Sequence, residues 1–236
     1  MWVPIWQCRH MASDTDQQRI DLSAVITSAA DRRFPAIDGG WQRAPVWHPE
    51  VEGVVAFTGH AFIAVREDIS DDRLSRLPID GFGGAHHPSV LNSLAGPAGD
   101  IDCLDTVLIR RPAAGPVGAT ALVSRPDLAE HPRTRLASRW RSGTTVLGRP
   151  DPSDDSVVTV ARGLAGLTEL GIEIGDSTVA GSGPALLAAA LATLPDELLL
   201  AAVSPGNARA LRMFLAAGFR PIGSVQLFRR DALPTG

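Results

Sequence analysis

The chain has 236 residues, 44% of them hydrophobic and 20% charged, which supplies a buried core and excludes a disordered polypeptide. A formal net charge of -4 gives no general attraction to a phosphate backbone, so nucleic-acid binding is set aside. All 22 basic residues are arginine and there is no tyrosine, so neither a lysine amine nor a phenol is available for chemistry.

In chain order, the first ten residues (MWVPIWQCRH) have no basic leader and no continuous apolar run, so they do not read as a signal peptide. Met11 is a second candidate start, and residues 1–18 are expected to be a flexible extension. Ile20, Leu22, Val25, Ile26 and Ala29 recur at helical spacing and predict a helix within 19–33. Residues 51–57 and 60–65 predict two strands joined by a tight turn at Thr58-Gly59. Short helices are expected at 71–77 and 87–94, the second with Pro88 early and Gly96 as its stop. Residues 103–109 read as a buried strand. The run 112–118 (PAAGPVG) is the best linker, dividing a divergent N-terminal α/β region at 19–115 from a second domain at 116–236.

Beyond it, 128–140 predicts an arginine-rich helix, and 144–147 and 156–161 predict strands around the turn-forming run 148–155. Strand 167–174, helix 184–194, strand 198–203, helix 207–217 and strand 221–228 follow. The pattern is a mixed α/β (α+β) fold, with a central sheet flanked by helices. The longest apolar run, 185–194, is too short to cross a membrane. Cys8 and Cys103 lie far apart with no CxxC partner, which suits a reduced, cytoplasmic protein.

Two elements carry chemistry. Residues 175–183 (GDSTVAGSG) deliver a strand into a very apolar helix, and a glycine-rich turn at a helix start presents backbone N–H groups to an anion. The second is the run 207–219 (NARALRMFLAAGF), with Asn207 at an N-cap position and Gly218 as the stop. Together they resemble the GNAT superfamily of N-acetyltransferases, in which a Q/R-x-x-G-x-G/A loop wraps the pyrophosphate of acetyl-CoA. A later N-x-x-A-x-x-x-Y-x-x-x-G-F helix then lies against the cofactor. Residues 178–183 align with the first motif, and Asn207, Ala210, Phe214, Gly218 and Phe219 with the second.

The resemblance covers about residues 128–230 and implies a GNAT-like acyl-CoA N-acyltransferase fold. It also implies acetyl-CoA as cosubstrate, held by Val179, Ala180, Gly181, Ser182, Gly183, Ala185, Asn207, Ala210 and Phe214. Thr178 stands where the family has arginine or glutamine, and the loop contains no basic residue. Phe214 takes the place of the family's proton-donating tyrosine, and a phenyl ring has no proton to give.

The implied reaction moves an acetyl group to an amine of a small molecule or peptide. Glu169 and Glu173 share one face of the strand before the loop, so Glu169 is the first candidate base and Glu173 the second. Backbone N–H groups near Ile172 and Ile174 would polarise the thioester carbonyl, and Ser204 or water would protonate the thiolate. Three readings compete: an active enzyme, a non-catalytic acyl-CoA-binding or regulatory module, and a nucleotide-binding protein. The third fails because 181–186 (GSGPAL) breaks the G-x-G-x-x-G pattern. His86-His87 beside Asp80 lacks a third ligand at metal spacing, so no metal is expected. The arginines within 133–141 face an acidic substrate, a ribose phosphate or solvent, and Trp41, Trp47 and Trp140 line a pocket or fill the core. No nucleic-acid or membrane partner is expected, and a homodimer is compatible with the pattern.

Overall fold

The computed structural model describes residues 20–111, 113, 118–175 and 182–230. The expected extension at 1–18, most of the linker, and the loop residues Val179, Ala180 and Gly181 lie outside the described residues.

The protein is a mixed α/β fold built on one large sheet. In chain order its elements are α1 (Leu22–Ala30), β1 (Trp41–Ala44), β2 (Glu52–Phe57), β3 (His60–Ala64), α2 (Asp71–Ser75), α3 (Pro88–Ala95) and β4 (Asp100–Arg110). There follow β5 (Val123–Ser124), α4 (Pro132–Trp140), β6 (Ser142–Gly148), β7 (Val157–Arg162), β8 (Thr168–Glu173), α5 (Ser182–Thr193), β9 (Leu199–Val203), α6 (Ala208–Ala216) and β10 (Arg220–Arg229). The ten strands run β1-β3-β2-β10-β4-β9-β8-β7-β6-β5. Among the described residues only β1–β3 and β8–β9 pair in parallel. The residues on either side of the linker share this sheet, because β4 lies between β9 and β10 and is antiparallel to both.

Alternation along the strands sorts the core into two faces. Val107 and Ile109 of β4, Leu200 of β9 and Val225 of β10 pack with Leu22 and Ile26 of α1 and Trp140 of α4. The intervening Leu108, Leu199, Ala201 and Val203 pack on the other face with Leu186 and Leu187 of α5 and Phe214 of α6. On that same side Val54, Ile63 and Phe228 meet Leu74 of α2 and Leu91 and Leu94 of α3. Helices α1 and α4 thus cover one face, and α2, α3, α5 and α6 cover the other.

Two local expectations change. The helix expected at 128–140 is broken: a single 3-10 turn at Pro126–Leu128 is followed by α4, which begins at Pro132. Pro132 takes a first-turn position where no N–H is needed, and His131 Nδ1 accepts from the Arg133 N–H at 3.1 Å. The strand expected to be buried at 103–109 is buried only at its far end: Cys103 and Leu104 are exposed, whereas Val107, Leu108 and Ile109 are not. His60 is buried in β3 and pairs through Nδ1 with Asp38 at 2.8 Å.

Candidate functional site

Strands β8 and β9 are paired at Thr168–Leu199 and Glu169–Leu200, and the ladder ends there. Beyond Glu169 the C-terminal half of β8 keeps its partner β7, and the C-terminal half of β9 keeps its partner β4. The two central strands therefore diverge, leaving a cleft flanked by Gly171, Ile172 and Glu173 on one side and Ala202 and Val203 on the other. Backbone edges that diverge in the middle of a sheet are unpaired and available to a ligand.

On the α5 and α6 side, some of the expected cofactor residues that are described come together. Ile172 and Ile174 are half-buried and pack against the α5–α6 core, as do Ala210 and Met213. Gly183 rests on α6 and on the end of β8: an added Cβ would lie 3.0 Å from Met213 Sδ and 3.8 Å from Ile174 Cδ1. Helix α5 begins at Ser182, so Pro184 is its third residue and still replaces an N–H with no intrahelical partner. Among the described residues the buried Ser182 hydroxyl has no hydrogen-bond partner, and Ala185 is exposed. Asn207 caps α6, its Oδ1 accepting from the Ala210 N–H at 3.0 Å, and Gly218 ends the helix at φ +88°, where a side chain would be strained. Phe214 is 4% exposed, and its ring meets Phe219 edge-on at 5.0 Å, so it sits in the core layer.

A basic group reaches the start of α5 from elsewhere in the chain. Arg149, in the β6–β7 turn, pairs with Asp154 at 2.8 Å and donates from Nη2 to the Ser182 carbonyl at 3.4 Å. That turn is held by Arg125, 5% exposed, which pairs with Asp127 and donates to the carbonyls of Arg149, Asp151 and Asp154 at 3.0–3.1 Å. Nothing local to the glycine run signals Arg149, because it acts across the fold.

The α4 side of the cleft is charged. Glu169 is 5% exposed and both its oxygens are engaged: Oε1 by Arg141, and Oε2 by the Leu164 N–H at 3.3 Å. Burial opposes the Arg141 charge, but Glu169, Asp102 and Asp105 outweigh it and hold its proton more firmly than usual. Glu173 is exposed on the same face of β8, four residues on. Asp105 of β4, half-buried beside them, accepts from Cys103 Sγ at 3.3 Å. Burial, seconded by Asp102 and Glu169, pushes its carboxyl up to about 6, although the Cys103 hydrogen bond and Arg141 pull the other way. Asp105 was not among the expected site residues, and only the insertion of β4 beside β9 brings it here. Ser204 follows the last residue of β9, and its carbonyl accepts from the Asn207 N–H at 2.8 Å. Among the described residues, no group of three or more His, Cys, Asp or Glu is placed to hold a metal, and no helix is long and apolar enough to cross a membrane.

No protein-family model matches the chain, and no curated protein does. Among solved structures, it is similar to an acetyltransferase of the GNAT family from Novosphingobium aromaticivorans. That match has 15% identity and a TM-score of 0.37, over 58% of this chain and 69% of the other. A GCN5-related N-acetyltransferase from Kribbella flavida matches at 16% identity and a TM-score of 0.37, over 63% of each chain. A Drosophila protein matches at 11% identity and a TM-score of 0.41, over 73% of this chain and 60% of that one. The chain therefore spans less than two thirds of the length of the last two. At these identities and scores the function is argued from the residues of this chain alone.

Proposed function

We propose that the protein is an acyl-CoA-dependent N-acyltransferase acting on an amine acceptor in the cytoplasm. The observation that carries this reading is the splayed β8–β9 pair, with the converging α5 and α6 layer on one face and a cluster of carboxylates on the other. Residues Ser182, Gly183 and Arg149 at the start of α5, with Ile172, Ile174 and Ala210, suit acetyl-CoA: the partnerless Ser182 hydroxyl and the nearby guanidinium offer donors to its phosphates. When bound, acetyl-CoA supplies an activated acyl carbon: the amine lone pair forms the C–N bond, the C–S bond breaks, and the thiolate takes up a proton.

The amine must first lose its own ammonium proton to a base. Glu169 was the expected base, but its two oxygens are committed to Arg141 and Leu164, so the role passes to Asp105, with Glu173 second. An acid titrating near 6 is mostly ionised at neutral pH yet basic enough to share a proton. Water or Ser204 returns the proton to the thiolate, since the tyrosine position is Phe214 and its ring is buried.

That buried phenyl ring favours one second reading, a non-catalytic acyl-CoA-binding module. Thermal shift with acetyl-CoA and with coenzyme A tests the shared part of both readings: binding raises Tm, and no shift with either compound rejects both. Thiol release in the presence of amines then separates them, and Asp105→Asn should remove the acidic limb of its pH–rate profile.

A further inference from the structure

The cleft contains a charge that acyl transfer as described leaves unused. The His131 cap fixes the first turn of α4, and from it the Arg133 side chain reaches down to β8. The guanidinium lies close against the strand because residue 171 is glycine: an added Cβ there would be 2.8 Å from Arg133 Nη2 and 3.1 Å from Nε. Arg141, its neighbour, is neutralised by Glu169. Arg133 makes no side-chain hydrogen bond and no ion pair among the described residues, and its Nε is buried without a partner. A guanidinium nitrogen stripped of water and left unpaired is costly, and a carboxylate supplied from outside relieves that cost by accepting from Nε and from a half-buried Nη in two parallel hydrogen bonds.

The remaining charges of this face define what accompanies that carboxylate. Asp105 and Glu173 are acidic and near enough to Arg133 to act on its charge. They suit an ammonium group. The start of α5, suited to the cofactor phosphates, lies on the opposite face of the sheet, which keeps the two anion sites apart. We propose that Arg133 is the carboxylate receptor of the acceptor site, and that the acceptor is a zwitterion of the α-amino-acid class rather than a simple amine. This rests on the acyltransferase reading. Arg133 grips the carboxylate, and the amine faces Asp105 and the cleft.

The test uses the full chain, acetyl-CoA, the common α-amino acids and their matching α-carboxamides, with thiol release as the readout. The best acid should exceed its amide in kcat/KM by roughly 10- to 100-fold, the worth of one charge-assisted interaction. Arg133→Met should bring that ratio close to one, mainly by raising KM for the acid, and Arg133→Lys should keep part of it. Circular dichroism and the acetyl-CoA thermal shift report whether each variant is folded. Equal rates for acids and amides overturn the proposal, as does a panel in which no amino acid reacts, or an Arg133→Met variant that keeps the full ratio. If acetyl-CoA shifts Tm while the ratio is one, the zwitterion inference alone fails. If no CoA compound shifts Tm, the underlying reading fails.

Discussion

Replacing Glu169 by glutamine separates two roles that predict different measurements. The carboxylate is 5% exposed and the Arg141 side chain 14%, so both charges are held away from water and depend on each other. Glutamine is nearly the same shape, but it leaves Arg141 buried without its counter-charge and can turn a donor toward the Leu164 N–H. Breaking a buried pair from one side costs about 3–5 kcal/mol. For a chain of this size that corresponds to a fall in Tm of roughly 6–20 °C. The double substitution Arg141→Met with Glu169→Met removes both charges at similar volume and should recover part of the loss, which a double-mutant cycle by urea unfolding measures. A general base, in contrast, contributes about 10²–10⁴-fold to rate without any need to stabilise the fold. If Glu169→Gln melts within 2 °C or so of the parent but loses the acidic limb of the pH–rate profile, the structural role argued for Glu169 is wrong.

Three further outcomes are expected. Asp105 titrates at about 6 in the folded protein against 3.8 for the ordinary group, so the native state binds this proton more tightly than the unfolded chain does. Its contribution to stability is therefore present below about pH 4 and lost as pH rises through about 6. Tm of Asp105→Asn relative to the parent should climb across that window and then level off, and parallel curves would refute the shift. Although Cys103 is exposed, partial desolvation of its thiol first and Asp105 next push it up to about 12, so peptide mapping should show iodoacetamide labelling it at pH 8 more slowly than a free thiol by roughly tenfold or more. Labelling at the free-thiol rate would contradict this, and Asp105→Asn should speed it. Asn207→Ala removes the α6 cap and should cost about 1 kcal/mol, or roughly 2–4 °C in Tm. An unchanged melt would show that the cap contributes nothing.

The elements that could be read from residue order are those whose signals are local. Apolar spacing with Asn207 before and Gly218 after defines α6, and the Thr58-Gly59 turn defines the β2–β3 hairpin. Strands β1 and β5 escape such reading because four and two residues are too few for a period to show. The 128–140 helix was overextended because its arginines and leucines keep the spacing through a segment that Pro132 and the His131 cap restart.

The site is a different matter, because its charges acquire meaning only from partners far along the chain. Glu169 reads as a base when just its own strand is visible; Arg141, 28 residues earlier, makes it half of an ion pair. Asp105 reads as one polar residue in a strand until β4 enters between β9 and β10 and sets it beside the cleft. The glycine run has no basic residue of its own, and the turn after β6 brings Arg149 to Ser182. The motifs within residues 128–230 therefore mark the glycine run and α6 but not Asp105. Strand β4 comes from before the linker, so the α4 side of the cleft is completed by the N-terminal portion of the chain. On the acyltransferase reading, acceptor choice is shared between Asp105, outside the family-like segment, and Arg133, within it.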